Sequence, residues 1–73
     1  MRKFEINVPD ATLTDISRAI LAEEFDFVVK ATNEEEIVKV EIPYDKDRND
    51  SITDLEEDLN QIVEDYYEEE KNS

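Results

Sequence analysis

Apolar and polar residues alternate from the third position of the chain. Phe4, Ile6 and Val8 fall on one side, and Lys3, Glu5 and Asn7 on the other. A period of two is that of a strand with one buried face, and Pro9, which has no N–H to give a ladder, predicts its end. The period then lengthens. Leu13, Ile16 and Ile20, with Ala19 and Leu21 beside them, form the apolar stripe of a helix running to about Glu24. Thr12-Leu13-Thr14-Asp15 has the pattern of a capping box, with Thr12 as N-cap and Asp15 reaching back.

Two further alternating runs follow. Phe27, Val29 and Ala31 interleave with Val28, Lys30 and Thr32, and Val38, Val40 and Ile42 interleave with Ile37, Lys39 and Glu41. They predict two strands joined around Asn33-Glu34. An even-numbered loop pairs Val29 with Val38 and Phe27 with Val40, which keeps both apolar sets on one face. In a chain without glycine, Asn33 is the residue best suited to a positive φ. Pro43 closes this third strand, and residues 44–50 read as a polar connection. The last helix is predicted to begin near Ser51, with a stripe of Ile52, Leu55, Leu59, Ile62, Val63, Tyr66 and Tyr67.

The order is β-α-β-β-α, an α+β class. A right-handed crossover from the first strand to the second, with the third inserted between them, predicts a mainly antiparallel three-stranded sheet of order 1-3-2 and both helices on one face. Its open face carries Lys3, Glu5, Val28, Lys30, Ile37, Lys39 and Glu41. Residues 1–67 make a single domain, with 68–73 expected to fray as an acidic tail. A chain of 73 residues buries only about 60% of its unfolded surface. Without Cys or His it has neither disulfides nor a structural zinc site to compensate. No apolar run approaches a signal peptide or a membrane span, so the expected location is cytoplasmic.

Charge changes the picture. Asp and Glu number 22 against 8 Lys and Arg, a net charge of −14. That argues against direct contact with nucleic acid or anionic lipid and favours a basic protein surface, a metal ion or simple solubility. Enzymatic catalysis is not expected. The chain has no His, Cys or Gly, and Ser17, Ser51 and Ser73 have no base arranged by motif.

The last helix concentrates the anomaly. From Asn49 to Glu70 there are ten acids and no Lys or Arg. Asp54, Glu57, Asp58, Glu64, Asp65 and Glu68 lie opposite the apolar stripe as one band. Like charges at i,i+4 (Asp54–Asp58, Glu64–Glu68, Asp65–Glu69) each cost about 0.2–0.5 kcal/mol, and Glu68 to Glu70 oppose the helix dipole. Carboxylates three and four residues apart are separated by about 5–6 Å at Cβ, comparable with the ~3.4 Å rise per charged nucleotide of a nucleic acid strand. The expectation is a small acidic interaction protein, a DNA-mimicking inhibitor that occupies a partner's basic nucleic-acid-binding surface through those six residues. Anti-restriction and anti-CRISPR proteins of phages or mobile elements are examples of the kind. The plainer reading is a solvated acidic face.

A second constellation is Asp45-Lys46-Asp47-Arg48-Asn49-Asp50-Ser51-Ile52-Thr53-Asp54-Leu55-Glu56. These twelve residues resemble an EF-hand calcium loop, with Asp45, Asp47 and Asn49 at loop positions one, three and five and Glu56 at twelve. The resemblance implies Ca2+ held by Asp45, Asp47, Asn49 and Glu56. It departs from the pattern at position six, where Asp50 replaces glycine, and a strand precedes the loop instead of a helix. Otherwise residues 45–56 are a polar loop leading into a capped helix. Finally, the 3-4-3-4 spacing of Ile52, Leu55, Leu59, Ile62 and Tyr66 fits either a coiled-coil seam or packing on the chain's own sheet. Tyr67 and the Val28/Ile37 pair would be exposed contacts for a homodimer. A structural or regulatory role through the open sheet face is a further alternative.

Overall fold

The computed structural model describes the backbone of residues 2–71 and the side chains of residues 2–69, which are the described residues for every side-chain contact. It contains β1 (Arg2–Pro9), a short 3₁₀ turn, α1 (Leu13–Ala22), β2 (Val28–Ala31), β3 (Ile37–Tyr44), a second 3₁₀ turn and α2 (Asn49–Lys71). The three strands form one antiparallel sheet of order β1-β3-β2. The expected α+β arrangement is the one observed. No helix among the described residues is long and apolar enough to cross a membrane.

Register places the apolar residues together. Phe4 opposes Ile42, Ile6 opposes Val40 and Val8 opposes Val38 across β1–β3, while Val29 opposes Val40 and Ala31 opposes Val38 across β2–β3. Because strand side chains alternate, these residues share one face. Ile16 and Ile20 of α1 and Ile52, Leu55 and Leu59 of α2 join Val8, Val40 and Ile42 in a single buried cluster. Both helices therefore cover that face, and the seam of α2 packs on its own sheet. Val29, although on this face, is 38% exposed, so the helix layer leaves the β2 edge partly uncovered.

The hairpin register differs by two residues from the expected one. Val29 pairs with Val40 instead of Val38, and Phe27 lies before the strand. A shift of two preserves the faces, so alternation alone does not choose between the registers. The Thr32 hydroxyl shapes the connection, accepting the Glu34 N–H at 3.2 Å and donating to the Ile37 carbonyl at 2.8 Å. The positive φ consequently falls on Glu36 (68°), beside β3, and not on Asn33. The Glu36 carbonyl accepts the Asp10 N–H at 2.7 Å, tying the loop to the end of β1. Pro43 lies inside β3, paired with Lys3, and does not close it. β2 begins only opposite Glu41, so at Pro43 β3 has a neighbour on one side only, and the absent N–H is accommodated there.

The expected capping box does not form. A 3₁₀ turn at Asp10–Thr12 leads into α1, and the Thr12 hydroxyl, in a buried side chain, donates to the Pro9 carbonyl at 2.7 Å. The other end of α1 closes as a Schellman motif. Phe25 N–H donates to the Ile20 carbonyl and Glu24 N–H to the Leu21 carbonyl, with Glu24 at φ 61°. Phe25 and Ile20 are both buried. A non-glycine residue in this left-handed region costs about 1–2 kcal/mol, more than the ~0.5–1 kcal/mol of chain entropy that glycine brings. Glu24→Gly should accordingly stabilise the fold by about 0.5–1 kcal/mol, raising Tm by several degrees. Differential scanning calorimetry checks this, and a lower Tm would contradict the strained-cap account.

α2 begins at Asn49, two residues before the expected start, and runs to Lys71. Residues 72–73 lie outside the described residues. At 23 residues the helix is ~34 Å long, against ~27 Å for an eight-residue strand. Burial accordingly declines along it: Ile52, Leu55 and Leu59 are buried, Ile62, Val63 and Tyr66 half-buried, and Tyr67 is 44% exposed.

Candidate interaction surfaces

The six acids singled out on α2, Asp54, Glu57, Asp58, Glu64, Asp65 and Glu68, are all exposed. At 100° per residue they fall within an arc of about 120°, on the side of the helix away from Leu55 and Leu59. From Asp54 to Glu68 the band covers ~21 Å of axis, about one charge every 4 Å. It divides into a 54/57/58 cluster and a 64/65/68 cluster. Gln61 lies between them and donates to Asp65 at 2.9 Å. The ion pairs among the described residues all involve the open face of the sheet, and none engages this band. A helix whose first half is anchored in the core by Ile52, Leu55 and Leu59 thus presents a row of carboxylates to solvent.

The four residues of the calcium-like loop are not gathered around one point. Asp45 precedes the 3₁₀ turn Lys46–Arg48, Asp47 lies within it, and Asn49 and Glu56 are both in α2. Two turns of helix separate that last pair by ~10 Å along the axis, whereas Ca2+ draws its oxygens to within ~2.6 Å of itself. The Asn49 side-chain oxygen accepts from Arg2 at 3.3 Å, and its carbonyl accepts from the Thr53 hydroxyl at 3.0 Å. Among the described residues no group of three or more acidic side chains is placed to hold a metal ion. With Asn49 and Glu56 held two helical turns apart, melting curves in millimolar calcium and in chelator should coincide. A rise of several degrees in calcium would show that residues 45–56 close around the ion.

Arg48 occupies the centre of that segment instead. Its guanidinium donates to the Glu24 carbonyl at 3.0 Å and to the Glu23 carbonyl, and lies 3.7 Å from the centroid of the Phe25 ring. A cation at the negative end of α1 is favourable, and stacking on Phe25 adds a cation–π contact. The residue closes the C-terminus of α1 against the entry to α2, a role that the loop pattern gave no sign of.

The open sheet face has the opposite polarity. Glu41, in central β3, is only 6% exposed although no helix covers it. Lys3 of β1, Lys30 of β2 and Lys39 of β3 reach its carboxylate at 3.4, 3.3 and 3.3 Å, and Lys3 also contacts Glu5 at 3.2 Å. Their aliphatic stems cover the carboxylate while their ammonium groups neutralise it. Lys30 and Lys39 are direct cross-strand partners, an unfavourable like-charge pair that Glu41 bridges. Desolvation pushes the Glu41 carboxyl upward, but the hydrogen bonds from Lys30 and Lys39 and the charge of Lys3 outweigh it. The group is held below its ordinary 4.5. The Lys3 ammonium, bonded to Glu5 and near Glu41, is held above its ordinary 10.5.

A depressed carboxylate stabilises the fold above its unfolded value and loses that contribution as pH falls through the folded value. Glu41→Gln should consequently lower Tm by several degrees at pH 7, with the difference from wild type vanishing on acidification below 4.5. Parallel pH-dependent melts measure this. A difference that persists unchanged at pH 3 would contradict it.

Sequence alternation placed Lys3, Lys30, Lys39 and Glu41 on one face, but their convergence depends on register across all three strands. Comparison with protein-family models, curated proteins and solved structures yielded no match.

Proposed function

We propose that this chain is a small cytoplasmic, non-enzymatic interaction protein that binds a basic, nucleic-acid-binding surface of another protein and occupies it as a DNA mimic. An inhibitor of a restriction or CRISPR nuclease is the kind of protein this reading describes. The observation that carries it is the exposed α2 band, in which six carboxylates on one side of the helix have no basic side chain paired with them among the described residues.

Segregation of charge supports the same reading. Three of the chain's lysines sit with Glu5 and Glu41 on the open face, a local net charge of +3 − 2 = +1, which leaves −15 for the rest of the molecule. A protein that needed acids only for solubility would gain from interspersing bases among them. Placing three of the eight bases on the opposite side instead gives the molecule a charge axis, which steers α2 toward a cationic partner and speeds association. The band's charge spacing of ~4 Å along the axis is near that of a nucleic acid strand, so a groove that follows phosphates can follow it.

The test is capture from the native host with the immobilised chain, followed by salt elution. A nucleic-acid-binding protein with a basic surface, released by about 0.5 M NaCl through screening, is the expected result. Partners that are acidic, or that stay bound at that salt concentration, would contradict the proposal.

A further inference from the structure

Beside the band, the 3₁₀ turn Asp10–Thr12, the first turn of α1 and the C-terminal half of α2 line an open groove of about 190 Å³. Buried Thr12 and half-buried Ile62 and Tyr66 line its interior, and the exposed carboxylates of Asp15, Asp65 and Glu69 surround it. We infer that this groove is the anchor point of the interface and takes an arginine side chain of the basic partner. The inference rests on the proposed function and names the partner group that the surface recognises.

Charge and shape both favour that occupant. Asp15 belongs to α1, whereas Asp65 and Glu69 are neighbours at i,i+4 on α2, so carboxylates flank the opening from two elements. Among the described residues none of the three is within ion-pair distance of a Lys or Arg. Arg18, the nearest base in sequence to Asp15, does not line the groove. A cation placed here meets three carboxylates, of which only Asp15 is offset by a helix N-terminus, and relieves the repulsion between Asp65 and Glu69.

The apolar part selects how that cation is carried. Ile62 and Tyr66 offer a surface for a methylene stem and an aromatic ring for a guanidinium to stack on. A planar guanidinium also has donors enough to serve carboxylates on both sides at once, and it is less strongly hydrated than an ammonium. Arginine is therefore favoured over lysine. Desolvated arginine in a pocket, ringed by more exposed charge pairs, is a common form of interface hot spot. Asp65 belongs to both the band and the groove, so the two surfaces are continuous.

The test is a titration of the ¹⁵N-labelled full chain with N-acetyl-arginine amide and, separately, with N-acetyl-lysine amide, followed by amide chemical shifts at low salt. Saturable shifts should centre on Thr12, Asp15, Ile62 and Tyr66, and arginine should bind several-fold more tightly than lysine. Asp15→Asn and Glu69→Gln, which lie outside the six-residue band, should each weaken arginine binding several-fold, with unchanged spectra elsewhere showing that the fold is kept. Equal affinities for the two amides, or no response of the groove, would overturn the inference. So would shifts confined to residues 54–58, and that result would leave the band itself as the binding surface. Conversely, if the groove takes arginine but the captured partner ignores charge reversal on α2, the anchor chemistry stands and the DNA-mimic reading fails.

Discussion

Reversing Glu57, Asp58, Glu64 and Asp65 to Lys should weaken binding to the captured partner by at least about a thousandfold while the domain stays folded. Each substitution changes the charge by two, so the chain moves from −14 to −6, and the change falls entirely on the α2 band. Close charge pairs at protein interfaces couple by roughly 1.5 kcal/mol or more, and each 1.4 kcal/mol is tenfold. Three lost pairs are enough for the expected effect, before repulsion from the new lysines is counted. The fold should tolerate the change because all four residues are exposed. The new lysine at position 58 would stand one turn from Asp54, and those at positions 64 and 65 one turn from Glu68 and Glu69. Repulsive i,i+4 neighbours thus become attractive ones, each shift being a few tenths of a kcal/mol in the stabilising direction. Tm should therefore hold or rise. Titration calorimetry together with thermal melting separates the two readouts, and undiminished binding would show that the band is a solvated face.

The second large effect concerns the support of that band. Leu59 is fully buried, in one cluster with Leu55, Ile16, Ile20, Val40 and Ile42. Truncation of a buried leucine to alanine costs about 2.7–5 kcal/mol, the transfer of the lost methyl groups plus the cavity left behind. A chain of this length has a total stability of roughly 4–11 kcal/mol. Leu59→Ala should accordingly remove much of the stability and lower Tm by more than about 10 °C. The packing of α2 would loosen with it, so partner binding should weaken although no acid has been touched. Urea unfolding with a slope similar to wild type and a lower midpoint is the expected form of the result. A loss below about 1 kcal/mol would mean that α2 does not depend on this core contact.

The elements that set up the surface were readable from the chain because their signals are local. A period of two at Phe4, Ile6 and Val8 and a helical period from Ile52 to Tyr66 identify strand and helix without reference to the rest of the molecule. The crossover rule then leaves few arrangements for three strands and two helices. The band on α2 was legible for the same reason, since the spacing of Asp54, Glu57 and Asp58 fixes their common side once the helix is granted.

What escaped the sequence depends on residues far apart or on choices that periodicity does not weigh. The hairpin slid by two residues because that displacement leaves every face unchanged. The left-handed residues are Glu24 and Glu36 because the Schellman end of α1 and the Thr32-tied turn set where each reversal falls, and side-chain propensity came second. Burial of Glu41 needs lysines from three strands. The groove at Asp15 and Glu69 joins residues more than fifty positions apart. Arg48, which read as one charge in a calcium-like run, is bonded to the Glu23 and Glu24 carbonyls of the turn that closes α1, which no local motif brings near it.

Competition with DNA addresses the central proposal most directly. The affinity of the wild-type chain for its captured partner is measured in rising concentrations of duplex DNA at fixed salt. If α2 occupies the nucleic-acid-binding surface, the apparent Kd should climb in proportion to free DNA once the DNA site is filled, with no ternary complex at any concentration. An apparent Kd that stays constant while the partner is saturated with DNA would place the binding site elsewhere and contradict the mimicry.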